Sequence, residues 1–207
     1  MQTPATMSLL LLSFGLVEAL QVQNHRIKRR DLFSQEMPLD MALASFDDQY
    51  AGCSVAMKAA LTDLNRSEFQ ANKVFADGWA LASGQWQERQ AWVREWGLST
   101  TLPPPPPPGF RDEHAVALLA YTASSPLHKE FNAAVRKAGR SRDYYLRHFS
   151  FKTLHFLLTE ALQLLSRGQC HQVFRGVNGM RFRPVGPGAT VRLRGFASAS
   201  LQNSAAQ

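Results

Sequence analysis

Apolar positions fall at helical spacing through the first half of the chain and in shorter, more continuous runs through the second. In SEFQANKVFADGWALASGQWQERQAWVREW, the residues Phe69, Val74, Phe75, Trp79, Leu81, Trp86, Trp92, Val93 and Trp96 recur at the spacing that buries one helical face. Ser67 is read as the N-cap region and Gly97 as the stop. The four tryptophans are read as packing, given the area each ring buries, with an aromatic binding box as the alternative. Upstream, Met41–Leu64 mixes helix formers with a turn-like DDQYAGC. Six prolines, Pro103–Pro108, force an extended polyproline II connector.

Past Gly109 the pattern changes. HAVALLAYT (His114–Thr122) is a short apolar run bounded by charges and SSP, which predicts a buried strand. Ser125–Gly139 is amphipathic, with a capping serine and a closing glycine. Phe151–Gly168 predicts a longer helix with a broad apolar face. His155 lies on or beside that face and reads as packed and hydrogen-bonded, since no metal-ligand spacing surrounds it. HQVFRGV (His171–Val177) and ATVRLRGFASASL (Ala189–Leu201) predict strands. Helices first and strands last predict an α+β fold with segregated layers. No dinucleotide glycine fingerprint and no P-loop occur.

The chain has 207 residues, with 45% hydrophobic and 19% charged, enough for one domain with a core and against wholesale disorder. A formal net charge of +7 favours acidic partners without choosing among nucleic acid, anionic lipid and phosphate-bearing small molecules. MSLLLLSFGLVEAL (Met7–Leu20) is 14 residues long, short for a membrane span and suited to a signal-peptide core. The expected organisation is a signal peptide at 1–22, a basic linker at 23–40 containing RIKRR, and one domain at 41–207. In a secretory setting NRS makes Asn65 a glycosylation acceptor at a surface position. Two cysteines, Cys53 and Cys170, suggest one disulfide on composition alone.

The chemistry concentrates at Arg175. A guanidinium in a strand must be paired and hydrogen-bonded or it costs several kcal/mol. Its partner is either a phosphate-bearing ligand or an internal carboxylate. Gly176 lets another molecule approach the backbone closely. In FASAS, Ser198 and Ser200 share one strand face.

FDDQYAGC, ALLAYT, HKEFNAAVR, HFSFKTLHFLLTEALQLL, VFRGV and VRLRGFASASL together resemble the vertebrate arginine-specific ecto-ADP-ribosyltransferases, closest to their GPI-anchored, muscle-type branch. The resemblance covers almost the whole chain. It implies an N-terminal helical region packed on a mixed, mainly antiparallel β-sandwich of the ADP-ribosyltransferase type, with the last strands missing from these residues. It implies a glycosyltransferase that splits the nicotinamide–ribose bond of NAD, or of NADP, and passes ADP-ribose to a protein arginine without a metal. The transition state implied resembles an oxocarbenium ion.

Residue by residue, the resemblance assigns Arg175 and Ser198 to catalysis. It assigns Tyr121, Arg175, Gly176, Arg181 and Ser198 to NAD binding. The partners implied are arginine-bearing extracellular or cell-surface proteins, with no nucleic acid and with membrane attachment only through a GPI anchor that lies outside this chain. The setting is the secretory pathway, extracellular or cell-surface, or the sarcoplasmic reticulum in muscle. Relatives usually read GQFASSS where this chain has RGFASAS, so a basic residue, Arg194, precedes Gly195. The family's E-x-E glutamates do not follow Ser198 before Gln207, and Glu130 and Glu160 match neither. An incomplete record of a longer enzyme explains this better than a natural truncation. In relatives the counterparts of Cys53 and Cys170 pair with cysteines further on, so both are expected as unpaired thiols here, against the composition-level disulfide. The competing reading is a non-catalytic secreted basic protein, either an NAD-site remnant or a binder of heparin-like polyanions. A purified polypeptide of these 207 residues is expected to transfer no ADP-ribose to agmatine; labelling of agmatine from radiolabelled NAD overturns this.

Overall fold

The computed structural model describes residues 35–38, 46, 49–96, 106–166, 172–174, 180–183, 186, 195–197 and 199–202. In chain order these hold strand β1 (Gln35–Pro38), helices α1 (Ser54–Ala71), α2 (Lys73–Trp96), α3 (Asp112–Thr122), α4 (Leu127–Ala138), α5 (Arg142–His148) and α6 (Lys152–Leu165), then strand β2 (Met180–Arg183). Among the described residues the fold is thus mostly helical.

Entry into α1 is set by Tyr50, whose φ of 55° is left-handed, a conformation that disfavours residues with a Cβ. Burial offsets that strain. The Tyr50 ring meets the Phe156 ring edge-on at 4.8 Å, and its hydroxyl lies 2.8 Å from both the Tyr145 hydroxyl and His155 Nδ1. The turn-like DDQYAGC therefore ends in a buried anchor, and His155 is packed and hydrogen-bonded as expected.

The α1–α2 break falls at Asn72, five residues after the expected cap at Ser67. Ser67 lies inside α1 and donates to the Leu64 carbonyl. Asn72 does both capping jobs. Its N–H donates to the Glu68 carbonyl, closing α1, and its Oδ1 accepts from the Phe75 N–H at 3.1 Å, opening α2. Gly97 lies outside the described residues. Of the tryptophans, Trp79 and Trp86 pack against the core while Trp92 is exposed, so packing holds for only part of the set.

The expected strand at His114–Thr122 is instead helix α3. The run is buried on nearly every side, so it shows no amphipathic period to separate helix from strand. Ala115, Ala117 and Ala120 favour the helix, and Val116 is its only β-branched residue before Thr122. Helix α4 starts two residues after Ser125, whose Oγ accepts from the Leu127 N–H, and Gly139 caps its end. Helix α5 had no counterpart in the sequence pattern; Ser141 caps it by accepting from the Tyr144 N–H at 3.1 Å.

The core gathers Phe75, Leu127, Phe131, Leu154, Phe156 and Leu157, all essentially inaccessible. Helices α2 and α4 touch closely enough that a Cβ on Gly78 would lie 2.6 Å from Leu127 Cδ2. The central element is α6, with nine buried residues. Its N-cap position is Phe151, which offers no capping side chain. Glu68 of α1 supplies the cap from 84 positions away: one carboxylate oxygen accepts from the Lys152 N–H at 2.6 Å and the other from the Thr153 N–H at 2.9 Å.

The strands are sparser than the β-sandwich expected. β1 and β2 pair in parallel, Gln35 opposite Met180 through Pro38 opposite Arg183. Phe174 and Ser200 form one antiparallel bridge with two backbone hydrogen bonds of 2.7 and 2.8 Å. The other described residues of the two expected strands, Gln172, Val173, Gly195, Phe196, Ala197, Ala199 and Leu201, are not in strand, and the rest of those segments lies outside the described residues. Gln35–Pro38, read as linker, is a strand, because its backbone finds a partner in β2 that the local composition does not reveal. Among the described residues no helix is long and apolar enough to cross a membrane.

Replacing Glu68 by Ala leaves two buried N–H groups without acceptors. The expected loss is roughly 2–3 kcal/mol of unfolding free energy, with a smaller loss for Glu68→Gln, which keeps one acceptor. Urea titration followed by circular dichroism measures both.

Candidate active site

Arg175, Gly176 and Ser198 lie outside the described residues, as does Cys170; Arg181 is described by its backbone alone, in β2 opposite Glu36. Described residues lie on either side of these positions. Phe174, immediately before Arg175, exchanges both backbone hydrogen bonds with Ser200, two residues past Ser198. Val173 beside it is 49% exposed.

On the other side of Ser198, Phe196 reaches into the helical layer. Its ring lies 5.5 Å from the Phe131 ring, 5.3 Å from that of His155 and 6.0 Å from that of Tyr121. The Tyr121 hydroxyl donates to the Phe196 carbonyl at 2.9 Å and accepts from Asn132 Nδ2 at 3.1 Å. The single proton of this phenol is therefore committed to the chain. Gly195 adopts φ 141°, where a side chain would be strained, and a Cβ there would lie 3.2 Å from Asn132 Oδ1. Tyr121, named from the sequence, is thus brought against the serine-bearing segment. Asn132 had no sequence signal, because it meets Tyr121 only across the turn between α3 and α4.

A second polar cluster lies where α1, α3 and α6 meet. Glu160 is 12% exposed. It holds Lys58 Nζ at 2.5 Å, His114 Nε2 at 3.1 Å and Arg111 Nη2 at 3.5 Å. His114 Nδ1 accepts from the Arg111 N–H at 3.0 Å, which leaves the ring proton on Nε2 to donate to Glu160. Burial holds the His114 pKa below its ordinary 6.5, against the opposing pull of the Glu160 hydrogen bond. For Glu160 burial pushes upward, but the hydrogen bonds from Lys58 and His114 outweigh it and leave the carboxyl below the ordinary range. No local spacing in the sequence announces this cluster, whose members come from three helices.

Glu130 is exposed on α4. Cys53 is free and exposed just ahead of α1. Asn65 is half-buried on α1 beside the exposed Arg66 and Ser67, with its Oδ1 enclosed without a hydrogen-bond partner. Among the described residues no group of three His, Cys, Asp or Glu side chains could hold a metal.

A family model described as NAD:arginine ADP-ribosyltransferase matches residues 39–207. The chain belongs to the NAD:arginine ADP-ribosyltransferase family. The human GPI-linked NAD(P)(+)–arginine ADP-ribosyltransferase 1 is 76% identical over 211 residues, covering 100% of this chain and 64% of the relative. The mouse protein of the same name is 72% identical, covering 100% and 63%. This ADP-ribosyltransferase-family chain therefore spans just under two thirds of the length of those relatives. Among solved structures, a variant of the eukaryotic mono-ADP-ribosyltransferase ART2.2 in complex with NAD is similar at a TM-score of 0.65 and 37% identity, covering 83% of this chain and 68% of that one.

Both shifts in the Glu160 cluster make acid destabilising. Below pH 6.5 the unfolded chain binds a proton that folded His114 resists, so its contribution is complete above 6.5 and lost as pH falls. Glu160 adds a further loss only below 4.5, as pH falls through its depressed folded value. Unfolding free energy is expected to decline between pH 7 and 5, and His114→Gln to flatten that decline; equal slopes in the two proteins overturn the assignment.

Proposed function

We propose that this protein acts in NAD(P)-dependent mono-ADP-ribosylation of arginine side chains, with release of nicotinamide. Family membership supports the reading, and so do the names of the relatives, which are NAD(P)(+)–arginine ADP-ribosyltransferases. The observation that carries it is the backbone pairing of Phe174 with Ser200. This ties the two segments that bear Arg175 and Ser198, the motifs on which the chemistry depends.

In this reading the fold is completed as the mixed, mainly antiparallel sandwich of the family. Arg175 grips the pyrophosphate or the nicotinamide-side ribose with forked hydrogen bonds. Gly176 offers its backbone to the carboxamide, Ser198 holds the nicotinamide ribose, and Arg181 and Tyr121 border the site. The nicotinamide–ribose bond breaks, its electron pair leaving with nicotinamide. A guanidinium nitrogen of the acceptor bonds to the ribose carbon and sheds a proton. The carboxylates for that second half belong to the family's E-x-E pair, which does not follow Ser198 within these residues. In this reading Arg175, Gly176, Arg181, Tyr121 and Ser198 serve dinucleotide binding. The acceptors are arginines of extracellular or cell-surface proteins, and a GPI anchor, as in the names of the relatives, accounts for a surface location.

One observation favours the second reading, polyanion binding. Arg136, Lys137, Arg140 and Arg142 are all exposed around the α4–α5 turn with no acid between them. A single experiment separates the two readings. NAD is expected to raise the melting temperature of the chain, and Arg175→Ala to abolish that rise. A melting temperature indifferent to NAD, with retention on heparin lost at modest salt, favours polyanion binding instead.

A further inference from the structure

We infer that the outer surface formed by α4, the turn after it and α5 is a docking surface for a sulfated polysaccharide chain. This deepens the polyanion reading above, on which it rests, by naming the residues and the partner class, and it stands whether or not the chain binds NAD. The stretch 127–148 holds six lysines and arginines, Lys129, Arg136, Lys137, Arg140, Arg142 and Arg147, against the two acids Glu130 and Asp143. Its net charge of +4 is more than half of the formal +7 of the whole chain. All six cations are exposed. Lys129 and Arg136 are two helical turns apart and so share the outer face of α4, whose opposite face is buried through Leu127, Phe131 and Ala138. Asp143 is spent on Arg147 at 2.8 Å. Among the described residues no carboxylate pairs with Arg136, Lys137, Arg140 or Arg142.

Folding does not require this arrangement. Arg136 and Lys137 end α4, where the helix dipole favours a cation. Arg142 opens α5, where the dipole disfavours one, and Arg140 lies between the two helices. Like charges placed together repel each other, and a polyanion relieves that repulsion while releasing its own condensed counterions. The surroundings choose among polyanions. Single-stranded nucleic acid stacks its bases on open aromatic faces. Tyr144 is the aromatic ring at this surface, and its neighbours already take it: Lys137 Nζ lies 5.4 Å from its centroid over the face, and the His148 ring 4.8 Å away. A helix that seats in a membrane surface buries an apolar face beside its charges. The apolar face of α4 is already in the core, and Leu146 is the one large apolar side chain exposed in the stretch. A sulfated chain needs neither feature, because it pairs with exposed cations by charge along its length.

The test uses the full chain, with heparin as the sulfated probe and a DNA duplex and phosphatidylserine vesicles as the competing polyanions. Arg136→Gln with Arg140→Gln, and Arg140→Gln with Arg142→Gln, each remove two charges from the surface. Arg66→Gln with Lys73→Gln removes two exposed charges from α1 and α2 instead. The heparin Kd of the unsubstituted chain is expected to rise roughly fiftyfold between about 50 and 200 mM salt, as four cation contacts require. At physiological salt each surface pair is expected to raise that Kd about tenfold and to flatten its salt dependence. The control pair is expected to leave the Kd within about twofold, and all three variants to keep the melting temperature of the parent. Equal losses in the surface and control pairs overturn the surface while general polyanion affinity survives. Tighter binding to the duplex or the vesicles than to heparin overturns the partner class. No retention of the unsubstituted chain on heparin at low salt overturns the surface and the polyanion reading together.

Discussion

The amide protons of Lys152 and Thr153 open the most buried helix of the protein, and no side chain near them in sequence can accept them. Phe151 holds the cap position because its ring is needed inside, against Phe75 and Phe131. The acceptors come from Glu68, 5% exposed, at the end of α1. Its two oxygens satisfy two of the donors that a helix start leaves orphaned, and its charge sits at the positive end of the α6 dipole. A buried carboxylate without those partners would be strongly unfavourable. Cap and acid therefore require each other, and the requirement fixes how α1 lies against α6.

The other contacts of α6 follow from that placement. With α1 set, Lys58 reaches Glu160 on α6, and α3 joins through His114 and Arg111. At the next level of the helix, His155 stands between Tyr50 and Phe196. One face of α6 thereby joins the strained entry to α1 with the segment leading to Ser198. The strand-bearing part of the chain is held to the helical layer by an aromatic side chain and a tyrosine hydrogen bond, both of which depend on α6 and α3 being where the Glu68 cap puts them.

Legibility in the sequence followed the range of the interactions. Helices α4 and α6 could be read because their amphipathic faces are local, as are the Ser125 and Gly139 that bound α4. The Asn72 break was misplaced to Ser67 since both residues are good caps, and only the packing of Phe69 and Phe75 across the bend chooses between them. Helix α3 was misread because complete burial erases the period that distinguishes it. Short α5 shows one cap and little else. Of the site, Tyr121 was reachable through a familiar motif, whereas Asn132, Glu68 and His114 act through partners dozens of positions away or across a turn. Nothing in their own neighbourhoods marks them.

The two readings left open for Arg175, an internal carboxylate or a bound anion, can now be weighed against the acids that the described residues supply. Glu68 is spent on the α6 amides, and Glu160 already answers to Lys58, His114 and Arg111. Asp63, Asp77, Glu88, Asp112, Glu113, Glu130 and Asp143 are all exposed. Among the residues whose side chains are described, then, no interior carboxylate remains uncommitted. A guanidinium set into a strand needs a counter-charge of comparable strength. The pyrophosphate of a dinucleotide supplies it with the bidentate geometry that arginine, rather than lysine, is built to meet. The helical layer uses the interior acids among its described residues, Glu68 and Glu160, to hold itself together.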